Sequence, residues 1–192
     1  LGGVTVACNI LAGQPQYSFY TAIAVFVYFI IRISQEFNNH RDWKSAGYRI
    51  VGFLIIYITG FLLSAIQLLP AVELAKHSVR HTLSYEWVGH FSFPPENFIT
   101  LFIPDFFGNL IKTPYWGRYL LCEMSLYVGI LPLILCALAS FYYRNKFTKA
   151  FLILALISSI LALGKYTPLF KVLYHFVPGF NLFRGNSKFI FI

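Results

Sequence analysis

Residues 50–69 read IVGFLIIYITGFLLSAIQLL, twenty consecutive positions without a formally charged side chain. A helix needs about 20 mostly apolar residues to cross a hydrocarbon core of about 30 Å. The same absence of charge recurs over residues 1–31, 124–143 and 150–164. The pattern predicts an all-α fold, a polytopic bundle of transmembrane helices joined by loops outside the membrane.

The composition excludes several other classes of protein. Of the 192 residues, 58% are hydrophobic and 11% are charged, against about 25% charged in soluble domains. This excludes a soluble enzyme, a disulfide scaffold and a disordered chain. The net charge of +8 comes from scattered basic residues, without the dense basic patch that nucleic-acid binding requires. The three cysteines form no CxxC pair and predict neither a metal site nor a disulfide framework.

The apolar runs predict one transmembrane domain over residues 1–192, with spans at about 1–13, 17–33, 48–69, 124–143 and 150–163 and the start of another near 189. The run 1–13 would rise only about 20 Å as a helix, too little for a complete crossing. We therefore expect the chain to be an internal fragment of a longer protein. A polar and aromatic loop, 70–123, separates the third span from the fourth.

The distribution of Lys and Arg predicts the orientation, because an excess near span ends marks the cytoplasmic side. Four lie over 32–49 and three over 144–149, whereas the longer loop 70–123 holds only four. The loops 70–123 and 164–188 are therefore predicted to be extracytoplasmic, together with the break at 14–16. Five of the seven acidic residues fall on that side, where we expect any chemistry.

The segment after Pro70 is predicted to be helical from about Ala71. Helical spacing then puts Glu73, His77 and His81 on one face, with Arg80 close to it. Two His and one carboxylate at this spacing could bind a divalent cation. A face that meets phosphate or sugar is a second interpretation, and a solvated interfacial face is the default.

Asp105 is the acidic residue with the most apolar neighbours. It follows Pro104 and precedes two Phe and a Gly, an environment that could raise the pKa of its carboxyl toward that of a working acid or base. An Asp after Pro is equally typical of a helix cap or turn. The prolines of this loop favour short elements lying on the membrane surface over a long helix.

Three further side chains have two interpretations each. Trp116 suits the apolar face of a sugar, but Trp also collects in the aromatic belt at membrane interfaces. Arg184 and Lys188 precede the last apolar run. There they either extend toward lipid head groups or, for Arg184 above all, bind a lipid-linked phosphate through a planar fork of donors.

Six short motifs occur in order along nearly the whole chain: LAGQPQY (11–17), QLLPAVE with SVR (67–73 and 78–80), IPDFFG (103–108), YVGILP (127–132), LALGKYTP (161–168) and PGFNLFR (178–184). The series resembles the bacterial YfhO-like membrane proteins, relatives of the GT-C glycosyltransferases. Gln14 stands where those relatives often have His, and the stretch 185–188 departs from their pattern.

The resemblance implies an enzyme of the bacterial cytoplasmic membrane with its functional face extracytoplasmic. It would transfer a sugar, with inversion, from a polyprenyl-phosphate carrier to a cell-envelope acceptor. Such chemistry needs a carboxylate base and cations around the departing phosphate. We expect Glu73 or Asp105 on the acceptor side and Arg80 and Arg184 near the phosphate.

Gln14, Gln16, Lys188 and Trp116 complete the predicted substrate-binding residues. The resemblance places the main catalytic carboxylate in a loop upstream of Leu1. No cofactor is predicted beyond a possible divalent cation. A transporter or lipid flippase and a non-catalytic membrane assembly subunit are the alternative functions.

Overall fold

The computed structural model describes residues 1–40, 43–77, 84–143, 145–177 and 179–192. Every regular element in these ranges is a helix. Three stretches are long and apolar enough to cross a membrane: Pro15–Gln35, Lys44–Leu63 and Lys146–Tyr166. The predicted all-α transmembrane fold is therefore confirmed. The chain divides into two compact units, Leu1–Thr82 and Leu83–Ile192.

The first unit consists of four helices: α1 (Gly2–Leu11), α2 (Pro15–His40), α3 (Trp43–Leu63) and α4 (Ala65–Lys76). The chain turns between α1 and α2 at Gly13, whose φ of 80° suits glycine. Pro15 begins α2, where its missing N–H costs no helical hydrogen bond. The 26 residues of α2 rise about 39 Å, enough to cross a bilayer.

Glycines let α1 and α3 pack closely. A Cβ atom on Gly3 would lie 2.9 Å from Thr59, and one on Gly60 would lie 2.5 Å from Val6 Cγ1. Such distances are shorter than real Cβ contacts, so neither position has room for a side chain. Small residues at the contact are typical of membrane helices, which associate through close backbone packing.

The apolar run 48–69, predicted as one span, is divided at Ser64. Its buried hydroxyl donates to the carbonyl of Gly60 at 2.8 Å, a bond back along the helix that often bends it. The following helix α4 starts at Ala65, ahead of the predicted start near Ala71, and contains Pro70. Pro70 lacks the N–H for a bond to the preceding turn, yet the helix continues to Lys76.

The second unit has five further α-helices: α5 (Tyr85–Val88), α6 (Leu121–Met124), α7 (Ile130–Tyr142), α8 (Lys146–Leu163) and α9 (Leu169–Phe176). Short 3-10 helices cover Pro95–Leu101 and Asn186–Phe191. Within the predicted span 124–143, α7 begins only at Ile130, directly after Gly129 with a φ of 97°. Asn145 caps α8 by accepting a hydrogen bond from the Thr148 N–H at 2.7 Å.

The core of the second unit forms where loop segments pack against the end of α8. The 3-10 helix Asn186–Phe191 packs along α8. Phe93, Phe170 and Phe189 are almost fully buried there. The Phe93 N–H donates to the carbonyl of Ala162 at 2.9 Å. Parts of the two loops predicted to share one face of the membrane are thus brought together.

Candidate functional site

Two adjacent pairs of residues join the loop segments of the second unit. The Lys165 ammonium donates to the Tyr119 hydroxyl at 2.8 Å. The Arg118 guanidinium donates to the Tyr166 hydroxyl at 3.4 Å. We call these four residues the cation–tyrosine cluster. Because Lys165 and Tyr166 directly follow α8, the cluster lies at the end of a helix long enough to span a membrane.

The backbone around Gly164 positions Lys165. Gly164 ends α8 with a φ of 46°, and a Cβ atom there would collide with the hydroxyl oxygen of Ser92. That buried hydroxyl accepts from the Lys165 N–H at 3.1 Å and donates to the Gly89 carbonyl at 2.7 Å. The absence of a side chain at Gly164 therefore permits the contact that holds Lys165 in place.

Two aromatic residues, Tyr119 of the cluster and Phe91, have unusual backbone conformations. Phe91 has a φ of 60° and Tyr119 a φ of 64°, and such conformations cost a bulky residue about 1–3 kcal/mol each. Their rings lie 5.2 Å apart. The Phe91 carbonyl accepts from the Ser187 N–H at 3.2 Å, which helps to hold the strained turn. Strain of this kind concentrates at functional sites.

A cavity of about 470 Å³ lies on one side of the cluster, lined by Ser84, Tyr85, Glu86, Trp87, Gly89, His90 and Lys165. The Arg184 guanidinium carbon lies 5.0 Å from the Trp87 ring centre and 5.3 Å from that of Phe91, in cation–π geometry. Among the described residues, no carboxylate lies within ion-pair distance of Lys165. The lining itself contains one cation, Lys165, and one carboxylate, Glu86, and Arg184 lies against the Trp87 ring of its wall. Lys165 and Arg184 are of the type that binds an anionic group such as phosphate.

A groove of about 550 Å³ shares Arg118 with the cluster and is lined by Glu96, Ile99, Phe106, Phe107, Trp116, Gly117 and Arg118. Arg118 Nε lies 3.0 Å from Glu96 Oε1. The Tyr166 hydroxyl, and then the Glu96 carboxylate, raise the pKa of the Arg118 guanidinium above its ordinary value. Arg118 therefore stays charged, and its pair with Glu96 keeps the groove close to neutral overall.

Three of the predicted site residues of the second unit lie at or beside these two features. Trp116 lines the groove and is 65% exposed. Arg184 stacks on Trp87 of the cavity. Asp105 is exposed, and its carbonyl accepts from the Gly108 N–H at 2.9 Å in a turn that leads into Phe106 and Phe107 of the groove. This conformation agrees with the interpretation of Asp105 as a cap or turn residue. A catalytic role for Asp105 stays a prediction.

Lys188 is placed differently. Its ammonium lies 3.6 Å from the Glu123 carboxylate, and the two side chains are only 17% and 25% exposed. The pair connects the last 3-10 helix to α6, which is an internal contact of the second unit. Substrate binding by Lys188 stays a prediction.

The remaining predicted residues belong to the first unit. Gln16 donates to the Tyr20 hydroxyl at 3.0 Å, Gln14 is exposed before α2, and Glu73 is exposed on α4. Arg80 and His81 lie outside the described residues. Within the described ranges, no group of three His, Cys, Asp or Glu side chains is placed to hold a metal ion. The predicted set Glu73, His77 and His81 includes an undescribed member, so a divalent cation stays a prediction.

Sequence reasoning did not single out Lys165 or the pair of Glu96 with Arg118. One signal for Lys165 was available, because a cation directly after an apolar run on the predicted outer side departs from the usual bias of Lys and Arg toward the cytoplasm. The pair of Glu96 with Arg118 leaves no such signal, since the two residues are distant along the chain.

The sequence profile of the bacterial membrane protein YfhO matches residues 17–184. No curated protein and no solved structure matches the chain. The matched range contains the whole cation–tyrosine cluster and all residues that line the cavity and the groove.

Proposed function

Because the chain belongs to the family of the bacterial membrane protein YfhO, we propose that it acts as a membrane glycosyltransferase. It transfers a sugar from a polyprenyl-phosphate carrier to a cell-envelope acceptor. The reaction takes place at the bacterial cytoplasmic membrane, with the loop segments of the second unit on the extracytoplasmic side. The observation that carries the proposal is the cation–tyrosine cluster, whose Lys165 lines a cavity and whose Arg118 lines an aromatic groove.

The cavity is the proposed site of the carrier phosphate. When the bond between sugar and phosphate oxygen breaks, negative charge develops on the departing polyprenyl phosphate. Lys165 lines the cavity and Arg184 stacks on its Trp87. Cations fixed before the reaction stabilise such charge without reorganisation. Arg80, predicted for the same role, lies outside the described residues.

The position of Lys165 suits a lipid-linked donor. It directly follows α8, whose apolar side chains include the exposed Phe151 and Leu156. A polyprenyl chain is costly to remove from the bilayer, so the protein must bind the attached phosphate at the membrane surface. The end of a spanning helix is such a place.

The groove is the proposed acceptor side. The acceptor hydroxyl loses a proton as it attacks the sugar, and a carboxylate base takes that proton. In this chain Asp105 is the first candidate, since it directly precedes two residues of the groove wall. Glu73, on α4 of the first unit, stays the alternative prediction for the base.

Deletion of the gene in the producing bacterium tests the proposed function. Loss of the enzyme should let the lipid-linked sugar accumulate and remove that sugar from one envelope component, and the wild-type gene should reverse both changes. Complementation with Arg184→Ala should fail. An unchanged pool of lipid-linked sugars would contradict the proposal, and full complementation by Arg184→Ala would remove Arg184 from the phosphate site.

A further inference from the structure

We propose that the groove lined by Glu96, Phe106, Trp116 and Arg118 binds a neutral saccharide chain, with Trp116 as the surface on which a pyranose ring stacks. That this saccharide is the acceptor of sugar transfer rests on the proposed function. The binding itself is argued from the groove alone.

Trp116 is an exposed ring in a fixed position. It is 65% exposed, yet its ring centre lies 4.8 Å from that of Phe107 and 5.9 Å from that of Phe106. The backbone N–H of Trp116 donates to the Phe107 carbonyl at 2.9 Å. The two Phe rings restrain the Trp116 ring, and the backbone bond fixes the main chain that carries it. Little conformational freedom is therefore lost when a ligand stacks on the open surface of the ring.

The turn that carries Trp116 is itself closed by hydrogen bonds. The Asn109 carboxamide oxygen accepts from the N–H groups of Ile111 and Lys112 at 3.0 and 2.6 Å. Gly108 adopts a φ of 86°, and a Cβ atom there would collide with the Pro114 carbonyl. The backbone of 108–116 therefore folds tightly back on itself and presents Trp116 to the groove.

The charge of the groove favours a neutral ligand. Its one lining cation, Arg118, already pairs with Glu96 at 3.0 Å, and the two side chains remain 63% and 41% exposed. A phosphate would have to compete with the Glu96 carboxylate for the guanidinium. Sugar hydroxyls can instead donate to Glu96 and accept from Arg118 while the pair stays intact.

The chemistry of the groove also indicates the kind of sugar. A pyranose whose hydroxyls are all equatorial presents only C–H groups on its flat faces, and these suit the electron-rich face of an aromatic ring. Its hydroxyls then point outward along the plane of the sugar ring, and the groove offers Glu96 and Arg118 as partners for them. The volume of about 550 Å³ lies within the range of ligand sites and exceeds a single pyranose ring. We infer a gluco-configured chain.

The test uses the full-length protein in lipid nanodiscs and saturation-transfer NMR with cellotriose and chitotriose. At least one trisaccharide should receive saturation at its ring C–H protons. Trp116→Ala should weaken that binding about fivefold, the loss expected for one aromatic contact, and Trp116→Phe should retain most of it. Glu96→Gln should weaken binding through the hydroxyl contacts. Phe176→Ala is the matched control, because Phe176 is an exposed ring of the same unit outside the groove.

Three outcomes overturn the inference: no saturation of either trisaccharide, equal losses in Trp116→Ala and Phe176→Ala, or displacement of the trisaccharide by excess inorganic phosphate. The binding assay needs no turnover, so it separates the two proposals. Binding that depends on Trp116 in a protein without transferase activity leaves the groove assignment standing and ends the proposed function. Sugar transfer that is unchanged by Trp116→Ala leaves the proposed function standing and shows that the saccharide bound in the groove is not the acceptor.

Discussion

The ammonium of Lys165 donates a hydrogen bond of 2.8 Å to the hydroxyl of Tyr119, a residue 46 positions earlier in the chain. The bond joins the segment after α8 to the loop that also carries Trp116 and Arg118. The same ammonium lies 5.6 Å from the centres of the Tyr119 and Tyr166 rings. Lys165 is thereby held at the edge of the cavity with its charge available to a ligand.

Replacement of Lys165 by Met should reduce kcat/KM for the lipid-linked sugar about 10- to 100-fold, because a hydrogen bond from a charged donor is worth about 1.5–3 kcal/mol. Lys165→Arg keeps the charge and should restore part of the activity. Lys112→Met, at an exposed lysine outside the cavity, is the control and should be near wild type. Wild-type activity in Lys165→Met would remove this residue from the phosphate site.

Arg184 should contribute through both its charge and its planar shape, since its guanidinium stacks on Trp87. Arg184→Ala should lower kcat/KM about tenfold or more, as expected for the loss of a charged hydrogen bond. Arg184→Lys should lie between Arg184→Ala and the wild type, because an ammonium lacks the stacking plane. Rates of sugar transfer by these variants test the predicted order. Lys171→Ala is the control, because Lys171 is an exposed cation of the same unit. Equal rates for Arg184→Ala and Lys171→Ala would contradict the assignment.

Gly164→Ala should lower the melting temperature of the protein. The added Cβ atom would collide with Ser92 Oγ and lie 3.0 Å from Asn186 Nδ2, and the φ of 46° is unfavourable for alanine. We expect a loss of about 1–3 kcal/mol in the free energy of unfolding. Gly52→Ala is the matched control, because no heavy atom lies within 4 Å of a Cβ atom there and alanine favours helix. In detergent, the melting temperature of Gly164→Ala should lie below that of Gly52→Ala. Identical melting temperatures would exclude strain at Gly164.

Cys122 should be accessible from outside the cell. It is free and exposed within α6, on the side predicted to be extracytoplasmic. In a protein whose other cysteines are replaced, a membrane-impermeant maleimide added to intact cells should label Cys122. A cysteine introduced by Lys146→Cys, at the first residue of α8, should react only after the cells are opened. The reverse labelling pattern would invert the proposed orientation.

The sequence predicted the membrane fold because a charge-free run of sufficient length has few stable alternatives in water. It did not predict the internal ends of the helices, which depend on local contacts. Ser64 interrupts an apolar run through a bond to the Gly60 carbonyl. Helix α7 starts directly after Gly129, which has a positive φ. Neither the Ser64 hydrogen bond nor the Gly129 conformation can be read from the hydropathy of the sequence.

The site was less predictable, since its contacts join distant parts of the chain. Arg184 and Trp116 were named because cations and exposed aromatics suit phosphate and sugar. Their partners, Trp87 for Arg184 and Phe107 for Trp116, follow only from packing. Asp105 was named for its apolar neighbours in sequence, yet its side chain is exposed because Phe106 and Phe107 pack around Trp116 instead.

Reconstituted sugar transfer tests the central claim most directly. The full-length protein would be placed in proteoliposomes with polyprenyl-phosphate sugars extracted from the producing bacterium, labelled in the sugar, and given envelope material from a strain that lacks the gene. The account predicts that label moves from the lipid to the envelope fraction and that polyprenyl phosphate is released, both strongly reduced by Lys165→Met. Label that stays on the lipid, or that crosses the bilayer still attached to it, would contradict a glycosyltransferase and, in the second case, indicate a flippase.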